Sequence, residues 1–241
     1  MAKQAALIIG AGDALGGAIA RRFAREGLAA CIVRRHGEKL APLAAAIRAA
    51  GGEAVPFGVD ARKEEPMIEL VQRIEHEVGA IEVAVFNIGA NVRFPIRETT
   101  SRVYFKVWEM GCFAGFLMGR ETAKVMVPRG RGTILFTGAT ASLRGRDGFA
   151  AFSGAKHGLR ALAQSMAREL GPQGIHVAHT LIDGAIDTAF IRDNFPERYA
   201  LKAQEGILDP DAIAENYWLL HRQPRSAWTH ELDLRPWLEA W

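Results

Sequence analysis

The stretch from Ile8 to Ala20, IIGAGDALGGAIA, decides the fold. It leaves a short apolar run, Ala5 to Ile9, turns through Gly10 and Gly12, and passes Gly16 into a segment where Leu15, Ile19 and Phe23 recur at helical spacing. That reads as strand, tight turn and a helix from about Ala14 to Glu26. Glycines let the backbone turn sharply and let a ligand come close, and the free N–H groups of a helix N-terminus attract pyrophosphate. A glycine cluster alone marks only a turn. Placed after the first strand of an alternating chain, it is a dinucleotide signal.

The alternation continues outward from that turn. Leu28 to Val33 is a second apolar run, followed by Leu40, Leu43, Ala44 and Ile47 on a helix closed by Gly51-Gly52. Ala54 to Val59 gives a third strand, Met67, Leu70, Val71, Ile74 and Val78 a third helix, and Ile81 to Phe86 a fourth strand. A long helix is expected from about Thr99 to Val127, then a strand from Thr133 to Thr137, a helix from about Gly148 to Leu170 and a strand from Ile175 to Leu181. From Thr188 the chain reads as mostly helical. Strands alternating with helices imply a parallel sheet with crossover helices, and continuous apolar strands imply that both faces are covered. The expected fold class is α/β, a doubly wound parallel sheet. With no repeat and no Pro-rich linker, residues 1–241 are expected to form one domain.

Composition narrows the function classes. Apolar residues at 49% and charged ones at 24% are ordinary for a globular chain. The net charge of +3 comes from 23 arginines and 7 lysines against 27 acids, and the arginines are spread along the chain, which argues against a nucleic-acid partner. No apolar stretch approaches the roughly 20 residues of a membrane span, and the start MAKQAA lacks a charged leader, so a cytoplasmic protein is expected. Cys31 and Cys112 stand in apolar contexts without metal-like spacing and read as reduced packing residues.

The second strand ends in Val33-Arg34-Arg35. An NAD-binding chain usually carries a carboxylate here to bind the ribose 2′-hydroxyl. Two guanidinium groups suit a 2′-phosphate instead, so NADP(H) is favoured over NAD(H).

Taken together, the glycine turn, Val59-Asp60, Asn87-Ile88-Gly89, the Phe152-x-x-x-Lys156 helix and IDGAIDT from Ile182 to Thr188 resemble the short-chain dehydrogenase/reductase family, in order and over essentially the whole chain. The resemblance implies a single Rossmann-type domain with a seven-stranded sheet, NAD(P) across the carboxyl ends of the strands, and a homotetramer or dimer. It implies that Gly10, Gly12, Asp13, Leu15 and Gly16 hold the pyrophosphate, that Asp60 with Ala61 contacts adenine, and that Asn87 with Gly89 lines the cleft. Lys156 would bind the nicotinamide ribose, and Gly184, Ile186 and Thr188 the carboxamide and phosphates.

The catalytic positions depart from that pattern. The family normally uses Asn, Ser, Tyr and Lys: Tyr moves the proton, Ser orients the carbonyl, Lys lowers the Tyr pKa and Asn holds a water relay. Counted back from Lys156, the Tyr position is Phe152 and the Ser position is Ala139, and the Asn position, in the stretch WEMGCFAGF, falls on Cys112. The turn also has Ala14 where the family has glycine, and Asp183 where it has proline. Three readings stay open: reduction of an activated C=N or C=C, carbonyl reduction with a substitute acid, or an inactive NADP(H)-binding sensor or structural subunit. Candidates for the substitute acid are Thr140, Ser142, Asp147, Asp183 and Tyr199.

Between Thr188 and Pro210, Phe190, Ile191, Phe195, Tyr199 and Leu201 stand amid polar residues, as expected of a lid over a largely apolar small-molecule substrate. The tail SAWTHELDLRPWLEAW has Trp228, Trp237 and Trp241 around the alternating Leu232 and Leu234, which reads as an edge strand with aromatic anchors for a homo-oligomer.

Overall fold

In a computed structural model, which describes residues 3–240, seven parallel strands form one sheet in the order β3-β2-β1-β4-β5-β6-β7. The strands are β1 (Gln4–Ile9), β2 (Ala29–Arg34), β3 (Ala54–Gly58), β4 (Ala80–Phe86), β5 (Gly132–Thr137), β6 (Ile175–Ile182) and β7 (Glu231–Leu234). Between them run α1 (Leu15–Arg25), α2 (Ala41–Ala49), α3 (Glu64–Arg73), α4 (Ser101–Trp108), α5 (Ala114–Met126) and α6 (Ala150–Leu170). After β6 come α7 (Ala189–Asn194), α8 (Pro196–Ala200) and α9 (Pro210–Arg222).

Side chains alternate across each strand, and here both sets are apolar because both faces are covered. Leu7, Cys31, Phe86, Phe136 and Val177 pack against α3, α5 and α6 through Met67, Leu117 and Leu159. Ile8, Ile32, Val85, Leu135 and Ala178 pack on the other face against Ile19 and Phe23 of α1, Leu43 of α2 and Tyr217 of α9. Cys31 and Cys112 are both buried free thiols. No helix among the described residues is long and apolar enough to cross a membrane.

The sheet reverses its direction of growth between β1 and β4, and the register there sets Ile9 beside both Val33 and Phe86. Gly10, Arg34 and Asn87, the residues that follow Ile9, Val33 and Phe86, therefore meet at one edge. In sheets of this kind ligands bind in that crevice, outside the carboxyl ends of the strands.

The helix expected from about Thr99 to Val127 is interrupted: Glu109–Phe113 forms a π-helical turn between α4 and α5. Such a turn accommodates one extra residue and is frequent at functional sites. The alternating tail becomes β7, paired parallel with β6 at the sheet edge. Trp228 stacks on His176 of its own chain, with ring centroids 4.8 Å apart. Trp237 is largely exposed, while Trp241 lies outside the described residues.

Candidate active site

A cavity of about 310 Å³ opens at the switch point. Gly10, Gly12, Arg34, Arg35, Asp60, Ala61, Asn87 and Gly89 line it. The glycines leave the space a dinucleotide needs. Gly10 has φ +88°, which favours glycine, and a Cβ on Gly12 would meet nothing within 4 Å. A Cβ on Gly16 would collide with the Gly10 carbonyl, so Gly16 lets α1 start close against the turn. Leu15 places its side chain in the core and Asp13 stands exposed on the rim. Asn87 closes the turn, its backbone N–H donating to Ile9 O at 2.8 Å and its amide to Gly10 O at 3.3 Å.

His36, Arg62 and Met110 line the same cavity and had no distinct signal in the sequence reading. Arg62 is fixed by a two-pronged contact to Asp60, at 2.8 and 2.6 Å. That hydrogen bonding holds the Asp60 carboxyl below its ordinary range. The arginine two residues after the expected Asp60 was the available clue. Arg34 and Arg35 keep this end of the cleft cationic, while the Arg62 charge is matched by Asp60.

Lys156 lies on α6, almost fully buried, and its ammonium donates to Ile88 O at 2.9 Å and Thr137 O at 2.8 Å. Burial pushes its pKa down to about 8, with a smaller opposing effect from Cys112. One turn earlier, Phe152 is buried in an apolar cluster with Val107, Cys112, Ala141, Ala151 and Ala155, and Ala139 packs against it. The π-helical turn brings two residues to this region. Cys112 directs its sulfur toward Gly158, whereas a Cβ on Gly111 would meet Ala155 at 3.1 Å and Ala90 at 3.6 Å. Gly111 thus lies against Ala155, the neighbour of Lys156, while Cys112 packs in the same cluster as Phe152 and Ala155.

The five substitute-acid candidates separate clearly. Ser142 is fully buried and accepts the Ala139 backbone N–H at 3.1 Å. The Asp147 side chain is 92% exposed and pairs with Arg93 at 3.4 Å. Tyr199 is half-buried, with the Lys202 ammonium 5.6 Å from its ring centre. Thr140 and Asp183 are brought together: the Thr140 hydroxyl donates to Asp183 Oδ1, and Arg144 donates to Asp183 Oδ2 at 2.9 Å.

The short chain dehydrogenase family model matches residues 4–198. The chain belongs to the short-chain dehydrogenase/reductase family. Members are NAD(P)-dependent oxidoreductases acting on small molecules, and the sheet order is that of the family. A short-chain dehydrogenase from Rhodopseudomonas palustris of known crystal structure is similar at 50% identity, covering 97% of this chain and 99% of that one, with a TM-score of 0.84. A metagenomic short-chain oxidoreductase in complex with NADP is 25% identical, covers 97% of each chain and has a TM-score of 0.81. Gluconate 5-dehydrogenase of Gluconobacter oxydans (strain 621H) is 26% identical over 223 residues, 92% of this chain and 81% of that protein.

Within this family fold, Gly184, Ile186 and Thr188 follow β6 outside the cavity. Gly184 has φ +150° and packs against Pro236, Ile186 bridges to Leu208, and Thr188 caps α7 by accepting Ile191 N–H at 3.2 Å. Beneath the site lies a polar group that sequence reading missed. His179 is fully buried on β6, with Nδ1 3.1 Å from Glu231, and Arg160 grips Glu231 at 2.6 and 2.8 Å. Desolvation holds the His179 pKa down to about 4 despite the carboxylate. Its ring occupies the space that a Cβ on Gly138 would need.

Proposed function

We propose that this protein is an NADP(H)-dependent reductase whose site lacks the family's tyrosine and serine hydroxyls and which therefore acts on an electrophile that is already activated, a C=N or a conjugated C=C. One observation carries the reading: Phe152, at the tyrosine position, is packed into an apolar wall with Ala139, at the serine position, packed against it. A positioned acid or base contributes typically about 10² to 10⁴ in rate to carbonyl reduction, and neither position carries one here. NADPH supplies the hydride when bound. Lys156, Gly184, Ile186 and Thr188 hold its nicotinamide half, and the glycine turn holds its pyrophosphate. Arg34 and Arg35 select the 2′-phosphate.

The substrate pocket is apolar, and residues 188–210 form its lid. Phe190 and Phe195 on that segment are 62% and 49% exposed, and the base is pinned by Asp187 N–H to Leu208 O and Leu208 N–H to Ala185 O, each at 2.8 Å. The whole chain acts as one domain and assembles as a homo-oligomer.

Stopped-flow loss of NADPH absorbance with a panel of cyclic imines, enones and ketones tests the reading. Turnover of imines or enones but not ketones is expected. Ketone turnover that survives in Thr140→Val and Asp183→Asn would remove it. Tight NADPH binding with no hydride transfer to any class would point instead to an inactive sensor, which the intact cofactor cleft also accommodates.

A further inference from the structure

Thr140 directly follows Ala139 at the carboxyl end of β5, and Asp183 directly precedes Gly184 at the carboxyl end of β6, the neighbouring strand. Asp183 is almost fully buried, whereas Thr140 is half-buried. The surroundings fix the direction of their hydrogen bond. Asp183 Oδ2 accepts from Arg144 at 2.9 Å and faces Arg235 Nη1 at 3.4 Å, so the carboxylate is an acceptor and Thr140 is the donor.

A hydroxyl has one proton and two lone pairs. With its proton committed to Asp183, Thr140 can offer a ligand only lone pairs. A family serine that orients a carbonyl must donate; Thr140 in this arrangement cannot. Arg144 and Arg235 balance the Asp183 charge, and Asp233 pairs with Arg235, so the unit discriminates by donor and acceptor pattern more than by net charge.

We propose that Thr140, held by Asp183, is the specificity-determining contact of the substrate pocket, and that it selects ligands bearing an N–H at the reacting centre, a protonated imine or its amine product, over a bare carbonyl oxygen. The inference rests on the reductase reading above and narrows it from C=N or C=C to C=N. Thr140 is here a recognition residue; Asp183 acts only through it, as a positioning residue.

The test is calorimetric titration of the full chain saturated with NADP⁺, using 2-methylpyrrolidine and cyclopentanone as probes. The wild type should bind the amine about tenfold or more tightly than the ketone. Thr140→Val should erase that preference by weakening the amine alone, and Thr140→Ser should retain it. Asp183→Asn should reverse it, because an amide N–H donating to Thr140 releases the hydroxyl proton toward the ligand. NADP⁺ binding by each variant checks its fold. Intact NADP⁺ binding with no amine preference in the wild type, or a preference unchanged in Thr140→Val, overturns this proposal alone. Failure of the wild type to bind NADP⁺ overturns the reductase reading with it.

Discussion

Replacing Lys156 with methionine isolates the cost of holding an ammonium inside the protein. Burial brings the group from an ordinary 10.5 to about 8, so the folded protein holds this proton less tightly than the unfolded chain does. Stability from this group is therefore complete above pH 10.5 and is lost as pH falls through 8. Linkage puts the loss at about 3 kcal/mol at pH 7 and about 1.4 kcal/mol at pH 9.5. The hydrogen bonds to Ile88 and Thr137 work against this, because a neutral amine still donates and methionine does not, and removing them costs about 1 kcal/mol each. The absolute effect of Lys156→Met at pH 7 is thus small. The pH dependence is not: between pH 7 and pH 9.5 the wild type should gain about 2 kcal/mol relative to Lys156→Met. Urea unfolding of both proteins at the two pH values measures this directly, with common titrations cancelling. At about 2–4 °C per kcal/mol for a chain of this size, thermal midpoints should show a relative shift of roughly 4–8 °C. Parallel stability curves for the two proteins would mean that the ammonium is not buried as described.

His179, held down to about 4 against an ordinary 6.5, contributes stability that is complete above 6.5 and fades as pH falls through 4. From pH 7.5 to pH 5 the wild type should lose about 2 kcal/mol more than His179→Gln in urea unfolding, and an equal loss would refute the buried neutral imidazole. Gly138→Ala forces a Cβ into the His179 ring and should cost about 1–3 kcal/mol, with His179→Ala in the same chain recovering part of it; no cost would show that the ring has room to move. Arg34→Ala with Arg35→Ala should weaken NADPH binding at least about tenfold in fluorescence titration while sparing NADH, whereas equal losses for both would place the arginines away from the 2′-phosphate.

The parts of this fold legible in the sequence were those written locally. The turn from Gly10 to Gly16 could be read because its glycines, its strand and its helix are neighbours in the chain, and the parallel character of the sheet followed from the alternation of elements. The Phe152 and Lys156 pair was visible for the same reason, one helical turn apart. The Thr140 and Asp183 contact joins residues 43 apart on neighbouring strands, and nothing in either segment announces the other. The tie from Arg160 to Glu231 spans 71 residues and carries no periodic signature. The π-helical turn escaped because its apolar spacing differs from a regular helix by one residue. In that turn Cys112 joins the cluster around Phe152, while Gly111 faces Ala90 and Ala155.

The same turn has a bearing on insertions and deletions. Because Glu109–Phe113 already holds one residue more than a regular helix requires, the chain can lose a residue there and return to ordinary winding with α4 and α5 still in phase. A deletion elsewhere in the two helices rotates everything beyond it by about 100° and takes Leu117 and Met118 off the sheet. A change of chain length at this point thus alters what the turn presents beside Met110 without disturbing the packing of the helix beyond it.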